Sequence, residues 1–203
     1  MPNRYPKIRG HFLLCRKSHN SPGSISEEYL ETIVKFAESY DVSVFRNHPK
    51  TGMSIPNHEH SQAQPKLVQI HSGKKVNYNG LMDCSFVPSD FGKSIFHLTR
   101  TRFDSLAFSG EGHIDRMLST LRNLDNDNQM YIFQYDPAGS GRHEGTFYLT
   151  VHSKGEKGVG AGLPLYCGLV LQLDAMPEYE KCMKEAENYL HKNGDFDWGK
   201  YFS

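Results

Sequence analysis

Apolar positions recur with helical spacing in three segments of the chain, at residues 27–40, 111–124 and 177–190. Spacings of three and four residues place such positions on one side of a helix, so each segment is predicted to be a helix that covers a sheet. Ser26 or Ser24 is suited to cap the first helix, and Pro177 to open the third. The apolar positions are Leu30, Ile33, Val34 and Ala37, then Ile114, Met117, Leu118 and Leu121, then Tyr179, Cys182, Met183, Ala186 and Leu190.

Short apolar or alternating runs lie between these segments and predict β-strands. Residues 72–88 are rich in turn formers and give no clear prediction. Helices and strands are therefore both predicted, and we expect an α+β fold. The predicted strands are 12–15, 42–45, 58–62, 66–71, 94–100, 129–135, 146–152 and 163–173.

The segment 58–62 carries the sequence's main candidate for chemistry. In an extended strand with a period of two, His58, His60 and Gln62 lie on one face. The strand at 42–45 precedes it, and Pro49-Lys50-Thr51-Gly52 supplies a reversal. We therefore expect a hairpin with the histidines just beyond its turn.

Two chemistries use a face with two histidines. Neutral imidazoles bind zinc, iron or copper, and an unprotonated imidazole can also attack phosphorus while its neighbours hold the phosphate oxygens. An amide such as that of Gln62 suits a phosphate oxygen better than a metal. A third interpretation is an ordinary polar face of an exposed strand.

Composition bounds the class of protein. The 203 residues are 37% hydrophobic, enough for a single domain spanning 1–203. Lys plus Arg and Asp plus Glu number 23 each, so the charge balance favours neither a nucleic acid nor an acidic membrane as partner. No apolar run reaches the length of a membrane span or a signal peptide. The four cysteines form no C-x-x-C pair, and we expect a reduced, cytoplasmic protein.

The stretch Gly52-Met-Ser-Ile-Pro-Asn-His-Glu-His-Ser-Gln62, with Asn47 before it, resembles the active-site motif of the histidine-triad superfamily. It is most similar to the branch of galactose-1-phosphate uridylyltransferase, diadenosine tetraphosphate phosphorylase and GDP-L-galactose phosphorylase. That branch has Gln where smaller triad hydrolases have a third His.

The resemblance implies a role for each residue of this motif. His60 would be the nucleophile that forms a nucleotidyl-histidine, His58 would orient it, and Gln62 would bond the reacting phosphate. Residues that shape the phosphate pocket would be Asn47, Gly52 and Ser54. No metal or other cofactor is implied for the chemical step.

Two further segments supply candidate substrate contacts. Asn3-Arg-Tyr5-Pro6 resembles the opening of the family's domains, which touches base and ribose, so Asn3 and Tyr5 are candidates for nucleotide contact. The glycine-rich run 153–162 permits close approach of its backbone to a phosphate, and it adds Lys154 as a candidate partner.

The order strand, helix, strand, strand occurs twice in the sequence. The first copy opens at Phe12 and the second at Phe96, and Leu149-Thr-Val-His-Ser153 stands where the first copy has His-x-His. The resembling branch fuses two such units, so we expect a histidine-triad-like antiparallel sheet with covering helices, folded as an internal pseudo-dimer. Its parts would be a catalytic repeat at 1–72, a degenerate repeat at 93–175 and a C-terminal helix and tail at 176–203.

These observations lead to one function and several alternatives. The expected function is nucleotidyl transfer or phosphorolysis on an NDP-sugar or dinucleoside polyphosphate, with a phosphate compound as acceptor, in a monomer or homodimer. The alternatives are a hydrolase of the same substrates, a nucleotide sensor without activity, and a metal-dependent cupin. The cupin interpretation rests on Gly52 and His58-x-His60, which match the opening of a cupin motif, although Gln64 and Pro65 stand where a Glu is needed.

Overall fold

A computed structural model describes much of the chain in the form of one large sheet and two helices. The described residues are 12–15, 25–50, 60–65, 70–71, 74–75, 84–86, 95–98, 104–138, 145–152, 190–192 and 194–201. The helices are α1 (Glu27–Tyr40) and α2 (His113–Asn126), and Trp198–Tyr201 forms a short 3₁₀ helix. The strands are β1 (Phe12–Cys15), β2 (Val42–Asn47), β3 (His60–Pro65), β4 (Ile70–His71), β5 (Lys74–Lys75), β6 (Cys84–Phe86), β7 (Ile95–Leu98), β8 (Ser105–Ser109), β9 (Tyr131–Asp136) and β10 (Thr146–Val151).

Local sequence sets both ends of α1. Ser26 is the N-cap, and its hydroxyl accepts a hydrogen bond from the Tyr29 amide at 3.2 Å. Glu27 and Glu28 in the first turn suit the positive end of the helix dipole. Asp41 ends the helix in a left-handed conformation with φ of 49°, and its N–H bonds the carbonyl of Ala37. The predicted bounds of this helix and its cap at Ser26 are confirmed.

Eight strands form one sheet in the order β1-β3-β2-β9-β10-β8-β7-β6, and β4 and β5 pair separately. Every pairing in the large sheet is antiparallel. β2 and β3 are antiparallel neighbours, so the predicted pairing of these two strands is confirmed. The predicted reversal between them reaches Thr51 and Gly52, which lie outside the described residues.

The six strands from β1 to β8 in this order are arranged symmetrically about the β2–β9 pairing. β1, α1, β2 and β3 of the first half correspond in order and place to β8, α2, β9 and β10 of the second. This is the internal pseudo-dimer expected from the sequence. One detail of the expectation is wrong: β8, and not the strand near Phe96, is the counterpart of β1.

Both helices pack on the same face of the sheet. Strand residues on this face, such as Val44, Phe133 and Leu149, are fully buried against helix residues such as Leu30 and Met117. The apolar stripes predicted for α1 and α2 point into this core. The opposite face carries the alternate residues of each strand, and we call it the open face because neither α1 nor α2 packs on it, although His60, Gln134, Asp136 and Thr150 are buried there. It is defined by Asn47, His60, Gln62, Gln134, Asp136, Tyr148 and Thr150.

Residues 190–192 and 194–201 return to the sheet at the end of β10. Leu190 forms a bridge with His152, and the Asp104 carboxylate accepts hydrogen bonds from the amides of Gly194 (3.0 Å) and Phe196 (2.8 Å). Trp198 and Tyr201 are then buried against the helix-covered core. This segment therefore contributes to the main core of the protein.

The predicted helix at 177–190 and strand at 163–173 lie almost wholly outside the described residues. Of the predicted strand 66–71, the described part is Ile70–His71, in β4. The cupin alternative is wrong for the part of the chain that the structure describes. An open sheet with β1 and β6 at its edges and two helices on one face is not a β-barrel.

Candidate active site

His60 and Gln62 lie side by side on the open face. Between them, Ser61 points the other way, where its hydroxyl hydrogen-bonds the Tyr29 hydroxyl of α1. The strand period of two therefore directs His60 and Gln62 away from the helices, and the prediction that these two side chains share a face opposite to Ser61 is confirmed. His60 is 4% exposed, and Gln62 is half-buried. The imidazole thus sits in a site from which most water is excluded.

Asn47 ends β2 next to the start of β3. Phe45 and Gln62 are the last pair of the β2–β3 register, and Asn47 lies two residues further along β2, on the side towards His60. Asn47 shares the open face with His60, because Val44 and Arg46 of the same strand face the helices. Three residues that the motif singled out therefore meet at one end of the open face.

His48 anchors the chain where it leaves β2 towards β3. Its backbone N–H bonds the Tyr131 carbonyl at 2.9 Å, and its Nδ1 accepts from the Lys50 amide at 3.2 Å. Nε2 lies 3.5 Å from a carboxylate oxygen of Asp125. With Nδ1 an acceptor, the ring proton belongs on Nε2, facing that carboxylate. His48 therefore fixes the backbone beside Asn47.

A second polar group on the open face was missed from the sequence. Asp136 Oδ1 accepts hydrogen bonds from Ser43 Oγ and from Gln134 Nε2, each at 2.6 Å. All three side chains are buried. Gln134 lies in the same cross-strand row as Phe45 and Gln62. The alternation Gln134-x-Asp136 before Pro137 was the available signal, but residues 129–135 were predicted only as a strand.

The second half of the sheet holds different residues at the places of the candidate catalytic pair. β3 and β10 are six-residue strands in corresponding positions, and His60 and Gln62 of β3 match Thr146 and Tyr148 of β10. The expected counterpart, Leu149-Thr-Val-His-Ser153, is wrong in register, because His152 follows the strand's last residue. Threonine and tyrosine do not supply an imidazole nucleophile with an amide beside it.

His152 is a buried histidine near the same end of the sheet. It is 4% exposed, and neither ring nitrogen has a hydrogen-bond partner among the residues that the structure describes. Burial lowers the pKa of His152 from 6.5 to about 4, and the nearby His48 and His191 act in the same direction. Burial also lowers the pKa of His191, against the opposing effect of Asp104 and Asp195.

Several predicted site residues lie outside the described part of the chain: Asn3, Tyr5, Gly52, Ser54, His58 and Lys154. Their proximity to His60 stays a prediction. Among the residues that the structure does describe, no three His, Cys, Asp or Glu side chains are grouped so as to hold a metal ion. Within those same residues, neither helix has both the length and the apolar character to cross a bilayer.

Comparison with known proteins covers both sequence and fold. Residues 1–65 match a family described as a domain of unknown function, DUF4922. No curated protein matches the chain. Among solved structures, yeast Ap4A phosphorylase in complex with Ap4A is similar, with a TM-score of 0.51 and 17% identity over 91% of this chain and 68% of that one. A DUF4931 family protein from Bacillus cereus gives a TM-score of 0.42 and 16% identity over 92% and 93%.

The similarity to Ap4A phosphorylase concerns the fold, since the identity is low. It extends over nearly the whole chain. The chain therefore has the histidine-triad-like α+β fold that its motif led us to expect.

Proposed function

We propose that this protein is a nucleotidyltransferase or phosphorylase that acts on a nucleoside diphosphate compound through a covalent nucleotidyl-histidine on His60. The observation that carries the proposal is the position of His60 and Gln62. They are neighbours on the open face of a histidine-triad-like sheet, with Asn47 beside them. The same fold in a phosphorylase of Ap4A supports a dinucleoside polyphosphate or an NDP-sugar as the substrate class.

In the first step, a ring nitrogen of neutral His60 attacks the α-phosphorus. A nitrogen–phosphorus bond forms as the bond from phosphorus to the bridging oxygen breaks, and the electron pair leaves with the departing phosphate compound. The amide N–H of Gln62 donates to an oxygen of the transferred phosphoryl group as its charge changes. The low exposure of His60 strengthens such contacts, because little water competes for them.

In the second step, a phosphate compound attacks the nucleotidyl-histidine, and the histidine leaves as neutral imidazole. The product is a phosphorolysis or transfer product, whereas attack by water would give hydrolysis. Asn47, Gly52, Ser54 and His58 are proposed to hold the phosphate and orient His60. Asn3, Tyr5 and Lys154 are proposed further contacts to the substrate.

The first half of the chain is proposed to be the catalytic one. Thr146 and Tyr148 replace the histidine and glutamine in the second half, so one pseudo-dimer carries one reaction centre. This accounts for activity without a second subunit, in a monomer or a homodimer.

Isotope exchange tests the covalent step directly. Without any second acceptor, labelled sugar 1-phosphate should enter an NDP-sugar, or labelled ATP should enter Ap4A, because the first half-reaction is reversible. His60→Asn should abolish exchange. His113→Asn is the matched control, because His113 lies on the helix-covered face against Tyr135 and Phe147 and should leave exchange intact.

Three other outcomes of the exchange experiment would contradict or change the proposed function. Exchange that persists in His60→Asn would exclude His60 as the nucleophile. Donors that bind without any exchange would show a nucleotide sensor instead. Exchange accompanied by rapid loss of donor to water would identify a hydrolase with the same intermediate.

A further inference from the structure

Tyr29 of α1 lies behind the candidate site and contacts both strands that form it. Its hydroxyl hydrogen-bonds Ser61, which stands between His60 and Gln62. The guanidinium carbon of Arg46, the residue before Asn47, lies 4.8 Å from the centre of the Tyr29 ring. One side chain therefore touches the neighbour of every candidate catalytic residue in the described part of the chain.

Both contacts are shielded from water. Ser61 and Arg46 are each 2% exposed. A cation over an aromatic face is held more strongly when the pair is desolvated than when it lies at a surface. The contact with Arg46 and the hydrogen bond to Ser61 act on neighbouring strands, so Tyr29 resists sliding or twisting of β3 relative to β2.

Tyr29 is itself held by the start of α1. Its amide donates to the Ser26 cap, so the residue belongs to the first, capped turn of the helix. A capped first turn is less prone to fray. The helix can therefore act as a fixed point against which the two strands are set.

From this geometry, and resting on the proposed function, we infer that Tyr29 is a positioning residue for nucleotidyl transfer. It acts through Ser61 and Arg46 to hold the His60 ring and the Gln62 amide in line with the phosphorus atom. It touches no substrate, because it lies on the helix-covered face. A displacement of about 1 Å in a reacting group can cost about a hundredfold in rate, whereas binding of the donor depends on other contacts.

The expected effect is on the chemical step and not on affinity. In Tyr29→Phe, which removes only the hydroxyl, the single-turnover rate of nucleotidyl-histidine formation should fall about tenfold, the equivalent of one hydrogen bond. The dissociation constant of the donor should be unchanged. In Tyr29→Leu the loss should be larger, because the ring under Arg46 is removed too.

Tyr135→Phe is the matched control. The Tyr135 hydroxyl also bonds α1 from the sheet, donating to Glu38 at 2.6 Å, but Tyr135 lies on β9, where its partner in the register is Val44 of β2. Both variants lose one hydrogen bond between the sheet and α1. A general loosening of α1 would slow the two variants alike.

The inference is tested by rapid-quench measurement of nucleotidyl-histidine formation. The proteins compared are wild type, Tyr29→Phe, Tyr135→Phe, Ser61→Ala and the Tyr29→Phe/Ser61→Ala double variant. We expect the rate of nucleotidyl-histidine formation to fall in Tyr29→Phe and to stay normal in Tyr135→Phe. The double variant should be no slower than Ser61→Ala, because both substitutions remove the same hydrogen bond. Equal rates in Tyr29→Phe and wild type, equal losses in both tyrosine variants, or fully additive losses in the double variant would overturn it. Wild type that forms no intermediate would instead overturn the proposed function, and with it the role given to Tyr29.

Discussion

Cys15 of β1 lies directly opposite His60 of β3 in their antiparallel pairing. Cβ atoms of directly paired residues are about 4.5–5.5 Å apart and on the same side of the sheet. Cys15 is also exposed and forms no disulfide. A thiol that reagents can reach therefore stands beside the proposed nucleophile.

Because Cys15 lies beside His60, a nucleotide bound at the proposed site should protect the Cys15 thiol from alkylation. At ten times the dissociation constant of a donor, the rate of modification by iodoacetamide should fall about tenfold, in line with the fraction of occupied sites. Peptide mapping by mass spectrometry reads the rate at Cys15 specifically. A cysteine introduced by Lys35→Cys, on the exposed side of α1, should react at the same rate with or without nucleotide. Protection of both thiols, or of neither, would place the nucleotide elsewhere.

Gln62 should contribute to the transfer rate more than to folding. Removal of one preorganised donor to a reacting oxygen typically costs about 10²- to 10³-fold, and Gln62→Ala should lose about that much in single-turnover rate. Gln62 is half-buried on the open face, so its truncation leaves the helix-covered core intact. Gln129→Ala, the same substitution in the turn before β9, should transfer normally. A Gln62→Ala rate within twofold of wild type would exclude the proposed contact to phosphate.

The low pKa of His152 predicts that the protein loses stability in mild acid. Its pKa is about 4 in the folded protein and 6.5 when unfolded, so the unfolded chain binds the proton more readily. The stabilisation is fully present above pH 6.5 and is lost as the pH falls from 6.5 towards 4. At 1.36 kcal/mol per unit, the full loss is about 3 kcal/mol.

The charged groups around His152 affect its protonation in opposite directions. His48 and His191 disfavour a further positive charge, while Asp125 faces His48, and Asp104 and Asp195 lie near His191. Urea unfolding at pH values between 7 and 4.5 should show a steep decline for wild type and a shallower one for His152→Leu. Equal declines in the two proteins would show that His152 does not carry the effect.

The hydrogen bonds of Asp104 should stabilise the attachment of residues 194–201 to the sheet. Its carboxylate accepts two backbone N–H bonds, from Gly194 and Phe196, and hydrogen bonds to a charged group contribute about 1.5–3 kcal/mol each. Because these two bonds are partly exposed, Asp104→Ala should lower the free energy of unfolding by about 2 kcal/mol in total. Asp197→Ala, which removes an exposed side chain bonded to the Gly199 amide, should change it by less than about 0.5 kcal/mol. Similar losses in both variants would contradict the role given to Asp104.

The elements best predicted from the sequence are those whose pattern is local. Leu30, Ile33 and Ala37 specify α1 by their spacing alone, and the His60-x-Gln62 alternation specifies which side chains share a face. β8 was missed because Ser105-Leu-Ala-Phe-Ser109 is only five residues long and just two of them, Leu106 and Phe108, are large and apolar. Its identity as a strand comes from its pairing with β10 and β7, which local sequence does not encode.

The candidate site was only partly predictable for a similar reason. The motif led to Asn47, His60 and Gln62, since they are close in sequence. The cluster of Ser43, Gln134 and Asp136 joins residues from the two halves of the chain, and only the β2–β9 pairing brings them together. The contacts of Tyr29 with Ser61 and Arg46 depend on how α1 lies across the sheet, which no spacing of residues specifies.

The most direct test of the central claim is to locate the covalent nucleotide. Wild-type protein is incubated with donor, quenched at alkaline pH because the phosphorus–nitrogen bond of histidine is acid-labile, and analysed by intact mass and peptide fragmentation. A mass gain of one nucleoside monophosphate on His60, absent in His60→Asn and retained in His113→Asn, is the predicted result. A nucleotide on another residue, or no mass gain with any donor that turns over, would contradict the account.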